Sequence, residues 1–286
     1  MRIIVIGSGF VGEAFSLLME GRGNEVFRIS KSGSGKSIGM DVSDLKSVQL
    51  TRDKIGEVDA VIHCASSGSR GQDRNQRYQK VYVDGCWNLS ESFSQSMIVF
   101  VSSSSVYGQN DGSIVDENSK TEPASGTGNL LLEAEEVALN SNGSVARLSG
   151  IYGPNRSYLL KRYLEGDARI DGFSPDADGR WINQIHRDDA AHGIAHIIEK
   201  KLRHQIFNVS DDHPLLQRRC YEEFDRRFQN GIPEVCEPEK GKVRGWSHKR
   251  VSNLKIRKSG WSPIYSNYFD ALDNDCRILP SIMQDK

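Results

Sequence analysis

The segment Arg2-Ile3-Ile4-Val5-Ile6-Gly7-Ser8-Gly9-Phe10-Val11-Gly12 decides the fold of this chain. It joins a short β-branched run, typical of a buried strand, to a Gly-x-Gly-x-x-Gly turn, and apolar residues then recur at helical spacing. In such a unit the three glycines permit a tight turn, a close approach of the backbone to a pyrophosphate, and helix–strand packing. The first turn of the helix directs free N–H groups at the anion. We therefore predict that the residues from Gly7 to Gly12 bind a dinucleotide.

The composition excludes several classes of partner. The chain has 286 residues and a net charge of −1, from 37 basic and 38 acidic side chains, so we expect neither nucleic acid nor an anionic membrane as a partner. It has no apolar run of membrane-spanning length, and it enters a strand at once, so we expect no signal peptide. The five scattered cysteines favour reduced thiols, a cytoplasmic location and no zinc site.

The order of the predicted elements indicates the fold class. Strand and helix patterns alternate in the first half, which predicts an α/β fold with a doubly wound parallel sheet (Rossmann) and a smaller C-terminal substrate lobe. We expect residues 1–154 to form the dinucleotide-binding domain, rejoined by about 185–210, and residues 155–286 to form the lobe. The predicted strands are Glu25–Ile29, Ala60–Cys64, Ile98–Ser102, Ser144–Leu148 and Gln205–Val209, and the predicted helices are Tyr78–Ser94, Leu130–Asn140 and Ile185–Glu199.

The end of the second predicted strand bears on the choice of cofactor. An NAD site usually has a carboxylate there for the ribose 2′-hydroxyl, and residues 29–32 contain none. Ser30 can donate a hydrogen bond, and three nearby cations could neutralise a 2′-phosphate: Arg28, Lys31 and Lys36. The sequence therefore favours NADP over NAD. Further along, the Asp41 carboxylate is placed to accept from an adenine amino group.

The segment Gly35-Lys36-Ser37 resembles the end of a phosphate-binding loop for nucleoside triphosphates. Such a loop requires a glycine five residues earlier, where this chain has Ser30, and it follows the first strand of the fold. We therefore do not expect a triphosphatase.

Six further motifs follow in order along the chain. They are Asp41-Val42-Ser43-Asp44, Val61-Ile62-His63-Cys64-Ala65, Val101-Ser102-Ser103-Ser104-Ser105-Val106-Tyr107-Gly108, Arg147-Leu148-Ser149-Gly150-Ile151-Tyr152-Gly153-Pro154-Asn155-Arg156, Ile185-His186-Arg187-Asp188-Asp189 and Phe207-Asn208-Val209. With the glycine turn, they resemble the extended short-chain dehydrogenase/reductase family in its NAD-dependent epimerase/dehydratase branch. The resemblance runs from Met1 to about Leu272.

The resemblance implies a site and an assembly. Ser103 occupies the position of the family's catalytic serine, which hydrogen-bonds the substrate oxygen. Cys64 and Ala65 occupy positions that line the binding site of the nicotinamide ribose. The cofactor set implied in this way also includes Asp41 and Val42. The expected substrate-binding residues are Tyr152, Arg156, Asn183 and His186, with Arg180 and Arg187 as further anion-binding candidates. Family members usually dimerise through a four-helix contact, here Tyr78–Ser94 and Leu130–Asn140.

The chain departs from the family at its acid/base pair, a Tyr followed four residues later by a Lys. The two positions are occupied by Thr127 and Leu131, and none of the nine tyrosines has a lysine four residues on. An aliphatic alcohol has too high a pKa to replace a phenol, and leucine cannot lower a pKa. Tyr82 also stands where the family usually has Asn.

These departures leave three interpretations open. In the first, Ser103 and Thr127 position a carbonyl or alcohol while Tyr107, His186, Arg187 or water moves the proton. In the second, the substrate supplies its own proton or arrives activated. In the third, the chain binds NAD(P) without turning it over, as a regulator or scaffold.

Several candidates also have a structural interpretation. Tyr107 either contacts substrate or plugs the sheet edge, His186 is either an acid/base group or a satisfied loop histidine, and Thr127 either binds substrate or caps a helix. Asp188, His192 and His196 share a helix face, but no other cluster supplies further ligands, so we predict no metal. We favour an NAD(P)-dependent oxidoreductase or epimerase-like enzyme acting on a small polar, hydroxylated or carbonyl substrate.

Overall fold

The computed structural model describes residues 1–68, 73–238 and 247–283. Its strands are β1 (Arg2–Ile6), β2 (Glu25–Ser30), β3 (Ile38–Gly39), β4 (Ala60–His63), β5 (Met97–Ser103), β6 (Ile114–Val115), β7 (Ser144–Leu148), β8 (Gly150–Tyr152), β9 (Ile170–Asp171), β10 (Trp181–Ile182), β11 (Gln184–His186), β12 (Ile206–Val209), β13 (Leu215–Leu216), β14 (Val235–Cys236) and β15 (Arg250–Val251). Its α-helices are α1 (Phe10–Gly21), α2 (Leu45–Ile55), α3 (Arg74–Tyr78), α4 (Gly85–Ser92), α5 (Gly126–Asn140), α6 (Tyr158–Leu164), α7 (Arg187–Glu199), α8 (Gln217–Phe228), α9 (Leu254–Lys258), α10 (Tyr268–Asn274) and α11 (Ile278–Met283).

A parallel sheet of seven strands, in the order β12-β7-β5-β4-β1-β2-β3, organises the molecule. The chain runs outward from β1 through β2 to β3 and then resumes with β4 on the other side of β1. The strand order therefore reverses between β1 and β4, and in such sheets ligands bind outside the carboxyl ends of the strands at this point. The predicted doubly wound α/β fold is confirmed.

Helices cover both faces of the sheet. Ile3 and Val5 in β1 pack with apolar residues of α1 and α7, whereas Ile4 and Ile6 point the other way and pack with α2 and α4. Alternate side chains of the same strand thus enter two separate cores, which explains why β1 is apolar at every position from Ile3 to Ile6.

A further hydrophobic cluster lies outside the sheet. All of its fully buried members come from residues 152–282, among them Tyr152, Tyr163, Phe224 and Tyr268. The predicted division of the chain at residue 154 stays a prediction. No helix in the described ranges has both the length and the apolar character needed to cross a membrane.

Some predicted boundaries were wrong. The predicted helix Tyr78–Ser94 is α3 and α4 joined by a π-helical turn over Gln79–Asp84. Ile185, the predicted start of a helix, pairs with Ile151 in a two-stranded parallel sheet, and α7 begins two residues later. The second error arises because apolar spacing does not distinguish a short buried strand from the first turn of a helix.

Candidate functional site

The glycine turn is packed tightly against the loop that follows β4. Gly7 has a φ of +101°, which favours glycine, and its N–H donates to the carbonyl of Ile29 at 2.9 Å. A Cβ on Gly7 would lie 2.5 Å from Cα of Ala65, and a Cβ on Gly12 would lie 1.9 Å from the carbonyl oxygen of Gly7. The protein's own packing therefore requires glycine at both positions.

Gly9 differs from the other two glycines of the turn. It is the N-cap residue of α1 with ordinary extended angles, φ −86° and ψ −159°. A Cβ at this position would meet no protein atom within 4 Å. Packing does not explain the glycine, and the open space lies directly in front of the first N–H groups of α1, where a pyrophosphate fits.

A cavity of about 360 Å³ adjoins the turn and extends along the end of β2. Its lining residues are Ser8, Gly9, Glu13, Arg28, Ser30, Ser34, Lys36 and Ser37. The hydroxyls of Ser8 and Ser37 are 2.8 Å apart, so the loop after β2 folds back onto the glycine turn. Glu20 accepts two hydrogen bonds from the Arg28 guanidinium, whereas Lys36 has no carboxylate partner within the described residues.

Lys31 does not line this cavity. Its ammonium lies 2.7 Å from Oδ2 of Asp41, and its side chain is 81% exposed. Burial opposes ionisation of Asp41, but hydrogen bonds from Lys31 and Ser43 outweigh this effect and lower the pKa of the carboxyl. Lys36, unlike Lys31, lines the cavity, and the contact of either lysine with a cofactor stays a prediction.

Three of the predicted cofactor residues are packing residues in this structure. Val11 and Val42 are buried in the cores on opposite faces of the sheet. The Cys64 thiol donates to the carbonyl of Gly7 at 3.4 Å, and burial raises the pKa of this thiol to about 12. Cys64 therefore remains a neutral thiol that shapes the turn. The loop after β4 places Ala65 against Gly7, at the switch point of the sheet.

Two arginines stack on Phe10, the first residue of α1. The guanidinium carbons of Arg156 and Arg187 lie 5.2 and 5.1 Å from the centroid of its ring. Nε of Arg187 is also 3.1 Å from Oδ1 of Asp188. Positive charge thus gathers beside the N-terminus of α1, as expected of a surface that meets an anion.

Ser103 ends β5, between β4 and β7 at the carboxyl edge of the sheet. Its Oγ accepts a hydrogen bond from the N–H of Ser105 at 3.2 Å and caps a short 3₁₀ turn over Ser104–Val106. The side chain is half-buried and can also donate a hydrogen bond, so it remains a candidate for binding a substrate oxygen.

Tyr107 is buried and is not free to exchange a proton with a substrate. Its hydroxyl donates to Oδ1 of Asn208 at 2.9 Å and accepts from Nη1 of Arg147 at 2.8 Å. Arg147 forms a buried ion pair with Glu135 at 2.6 Å, and Ser102 donates to the same carboxylate. Burial raises the pKa of the Tyr107 phenol. Of the two predicted roles, this placement favours the structural one.

Thr127 and Leu131, at the two positions where the resemblance implies a Tyr and a Lys, lie on α5. Thr127 is 5% exposed, and its hydroxyl is 3.0 Å from that of Ser125, which is the N-cap residue. The alternative that Thr127 caps the helix is therefore wrong. Leu131 is 6% exposed and packs in an apolar cluster with residues such as Val83 and Cys86.

Two of the four predicted substrate residues make structural contacts. Tyr152 is buried, its hydroxyl is 3.4 Å from the carbonyl of Asn267, and burial raises the pKa of its phenol. The Asn183 amide accepts from the N–H of Val251 at 2.7 Å and donates to the carbonyl of Lys249 at 2.8 Å. Asn183 therefore positions the backbone around residue 250. Contact with a substrate stays a prediction for both residues.

His186 is buried and caps α7, whereas the sequence placed it at a rim. Its Nδ1 accepts from the N–H of Asp188, and burial lowers its pKa. Nε2 lies 3.2 Å from Oδ2 of Asp275, without hydrogen-bond geometry. Ligand atoms of His186, Asp188 and Asp275 lie within 4.8 Å of one another. The Arg277 guanidinium already binds both carboxylates, which leaves little need for a cation there.

Sequence analysis missed Lys249, which is 4% exposed and donates to the carbonyl of Tyr107 at 2.7 Å. No pattern marks it, because lysines are usually exposed and residues 247–253 lack clear periodicity.

A family model described as the NAD dependent epimerase/dehydratase family matches residues 3–210. A sterol-4-alpha-carboxylate 3-dehydrogenase (decarboxylating) of Dictyostelium discoideum is 24% identical over 251 residues, which cover 79% of this chain and 75% of that protein.

Two solved structures have the same fold. The UDP-glucose 4-epimerase of Thermus thermophilus, solved with NAD, has a TM-score of 0.77 at 20% identity and covers 99% of this chain and 98% of its own. Human epimerase family protein SDR39U1, solved with NADPH, has a TM-score of 0.78 at 17% identity and covers 95% of this chain and 98% of its own.

Proposed function

This chain belongs to the NAD dependent epimerase/dehydratase family, and from that membership we propose that it is an NAD(P)-dependent oxidoreductase or epimerase-like enzyme. Its substrate in this proposal is a small polar molecule with a hydroxyl or carbonyl group, such as a sugar nucleotide. The observation that carries the proposal is the open space at Gly9. Protein packing does not require a glycine at this position, but close approach of a pyrophosphate to the backbone does.

The residues at the carboxyl edge fit a nicotinamide dinucleotide. In this proposal Gly7 to Gly12 hold the pyrophosphate, the loop after β2 holds the adenosine ribose, and the loop after β4 lines the nicotinamide ribose. The nicotinamide, when bound, accepts or supplies a hydride. Ser103 hydrogen-bonds the reacting oxygen of the substrate, and Thr127 lies at the family's tyrosine position without a group that titrates near neutral pH.

We propose NADP as the preferred form. The end of β2 carries no carboxylate for a ribose 2′-hydroxyl, and Ser30, Ser34, Ser37 and Lys36 line the adjoining cavity. Hydroxyl donors and one cation without a carboxylate partner suit a phosphate dianion better than a hydroxyl group.

A second candidate function is binding of NAD(P) without turnover. It is favoured by the burial of Leu131 and Tyr107, since neither position offers a proton-transfer group. It predicts tight cofactor binding with no reduction or oxidation of any substrate.

We further propose a cytoplasmic homodimer that pairs through α4 and α5. The support is Trp87 on α4, which is 61% exposed, since large aromatic side chains are enriched at protein interfaces. Sedimentation of the wild type and of Trp87→Glu tests the pairing.

Titration with NAD(H) and NADP(H), followed by reduced-nicotinamide fluorescence, tests the function. We expect Gly9→Val to abolish binding of both cofactors, because its side chain would fill the space that the pyrophosphate needs. Gly21→Val is the matched control, since a Cβ there also meets no atom within 4 Å but lies at the far end of α1.

The fold of Gly9→Val should survive, because an extended N-cap accepts valine at a cost of about 1 kcal/mol. Circular dichroism and a melting curve check this. Binding retained by a folded Gly9→Val protein, or absent from the wild type, would overturn the dinucleotide assignment. Binding without turnover in a substrate screen would favour the second candidate.

A further inference from the structure

Lys249 is a buried lysine beside the turn that ends at Tyr107. Its side chain is 4% exposed, and the carbonyl oxygen of Tyr107, 2.7 Å from Nζ, is its hydrogen-bond acceptor. No carboxylate lies within ion-pair distance of it in residues 1–68, 73–238 and 247–283. An ammonium has three donors, and removing its charge from water costs several kcal/mol unless a partner compensates.

Burial and a positive charge nearby disfavour the protonated form of Lys249. Burial lowers the pKa of Lys249 to about 8, and the positive charge of Arg180 contributes to this shift. Arg180 itself pairs with Asp171 at 3.1 Å and is about one-third exposed. Asp171 thus neutralises Arg180, whereas no carboxylate among the described residues does the same for Lys249.

The backbone holds Lys249 against the turn that carries Ser103. The Tyr107 carbonyl ends the 3₁₀ turn that Ser103 caps. The Asn183 amide clamps the chain on both sides of Arg250, through the carbonyl of Lys249 and the N–H of Val251. The ammonium is thereby held at the end of the turn that Ser103 caps.

We propose that Lys249 is a substrate-binding residue whose ammonium receives an anionic oxygen, from a carboxylate or a phosphate, of the molecule bound beside Ser103. This inference rests on the proposed function and adds the charge of the substrate to it. Lys249 lies outside residues 3–210, so the matched family model does not describe it.

Lys255 provides a matched control. Its ammonium also donates to a backbone carbonyl, that of Ile206 at 2.8 Å, but it lies over the Phe207 ring and near the Glu117 carboxylate. Both lysines therefore donate a hydrogen bond to a backbone carbonyl. Of the two, Lys255 has a carboxylate nearby, whereas Lys249 has none among the described residues.

The test uses the full chain with and without saturating NADPH. In the arm with NADPH, the cofactor occupies its own phosphate sites, so the added anion cannot bind there. Inorganic phosphate and malonate are titrated by calorimetry into the wild type, Lys249→Met and Lys255→Met. We expect the wild type and Lys255→Met to bind at least one of the two anions, and Lys249→Met to bind it about ten- to a hundredfold more weakly. A preference between phosphate and malonate identifies which group the substrate carries.

Equal anion affinity in Lys249→Met and the wild type overturns the proposal, and so does a wild type that binds neither anion. Failure of NADPH binding is recorded first and counts against the proposed function instead. If Lys249→Met does not fold, Lys249→Gln replaces it, because its amide can still donate to the Tyr107 carbonyl without a charge. Anion affinity equal to that of the wild type in a folded Lys249→Gln protein then overturns the inference.

Discussion

Replacement of Lys36 by Met should weaken NADPH binding while leaving NADH binding unchanged. Lys36 lines the cavity at the end of β2 and has no carboxylate partner in the described part of the chain, so its charge is available to a 2′-phosphate. Lys31 is the lysine that the sequence favours for this role, yet its ammonium is already paired with Asp41 at 2.7 Å. The two lysines stand five residues apart in the same loop, which makes Lys31→Met a closely matched control.

The magnitude follows from the kind of contact. A hydrogen bond to a charged group contributes about 1.5–3 kcal/mol, and exposure of Lys36 to solvent places it at the low end. Since about 1.4 kcal/mol is tenfold in affinity, we expect NADPH to bind about tenfold more weakly to Lys36→Met. Loss of the exposed Lys31–Asp41 pair should cost about 0–1 kcal/mol, which is less than about fivefold.

The assay is the enhancement of reduced-nicotinamide fluorescence at fixed ionic strength, because screening by salt changes the effect of an exposed cation. The quantity compared is the ratio of NADPH to NADH dissociation constants in each variant. If Lys31→Met changes this ratio more than Lys36→Met does, or if both cofactors weaken equally, then the cavity does not hold the 2′-phosphate.

Two further predictions concern the buried charges behind the site. Arg147→Met should lower the free energy of unfolding, measured in urea, by about 3–5 kcal/mol, because it leaves the Glu135 carboxylate buried without its cation. The double variant Arg147→Met/Glu135→Met should recover much of this loss. A loss below about 1 kcal/mol in Arg147→Met would contradict the role of the pair. Burial raises the pKa of Asp211 well above its usual value, so the folded state favours the protonated carboxyl. The stability that this carboxyl contributes is complete below its pKa in the unfolded chain and is lost as pH rises through its pKa in the folded protein. As pH rises, the free energy of unfolding of Asp211→Asn should therefore increase relative to that of the wild type. The increase should be about 1.4 kcal/mol for each pH unit between the pKa of Asp211 in the unfolded chain and its pKa in the folded protein. A difference between the two proteins that stays constant from about pH 4 to pH 9 would refute this.

The sequence was sufficient to predict the strand–turn–helix unit whose glycines backbone geometry requires. The turn at Gly7 and Gly12 requires glycine for packing reasons that any strand–turn–helix unit imposes, so a local motif identifies it. The positions of Ser103, Cys64 and Ser30 followed as well, because each lies at the end of a strand of one parallel sheet and such ends share an edge.

Side-chain direction could not be predicted in the same way. Lys31 and Lys36 are equivalent in composition, and the choice between them depends on a loop that returns to Ser8 through Ser37. Tyr107 has the sequence context of a cleft residue, but its hydroxyl turns inward because Arg147 and Asn208, 40 and 101 residues away, supply its partners. Contacts of such separation leave no periodic signal.

Apolar packing occupies the position on α5 where the resemblance implies a lysine. In this chain Leu131 buries one face of α5 in an apolar cluster, while Glu135, one turn later, binds Arg147 across the sheet and so connects the helix to Tyr107. A lysine at position 131 would place a second cation among apolar side chains near that network, at a cost that Glu135 cannot offset because it already pairs with Arg147. If the proposal for Lys249 holds, the positive charge beside Ser103 comes instead from a segment beyond the matched family region. The dinucleotide turn would then be combined with a separately derived means of holding the substrate, and restoring Tyr and Lys at 127 and 131 would not by itself restore an ordinary epimerase.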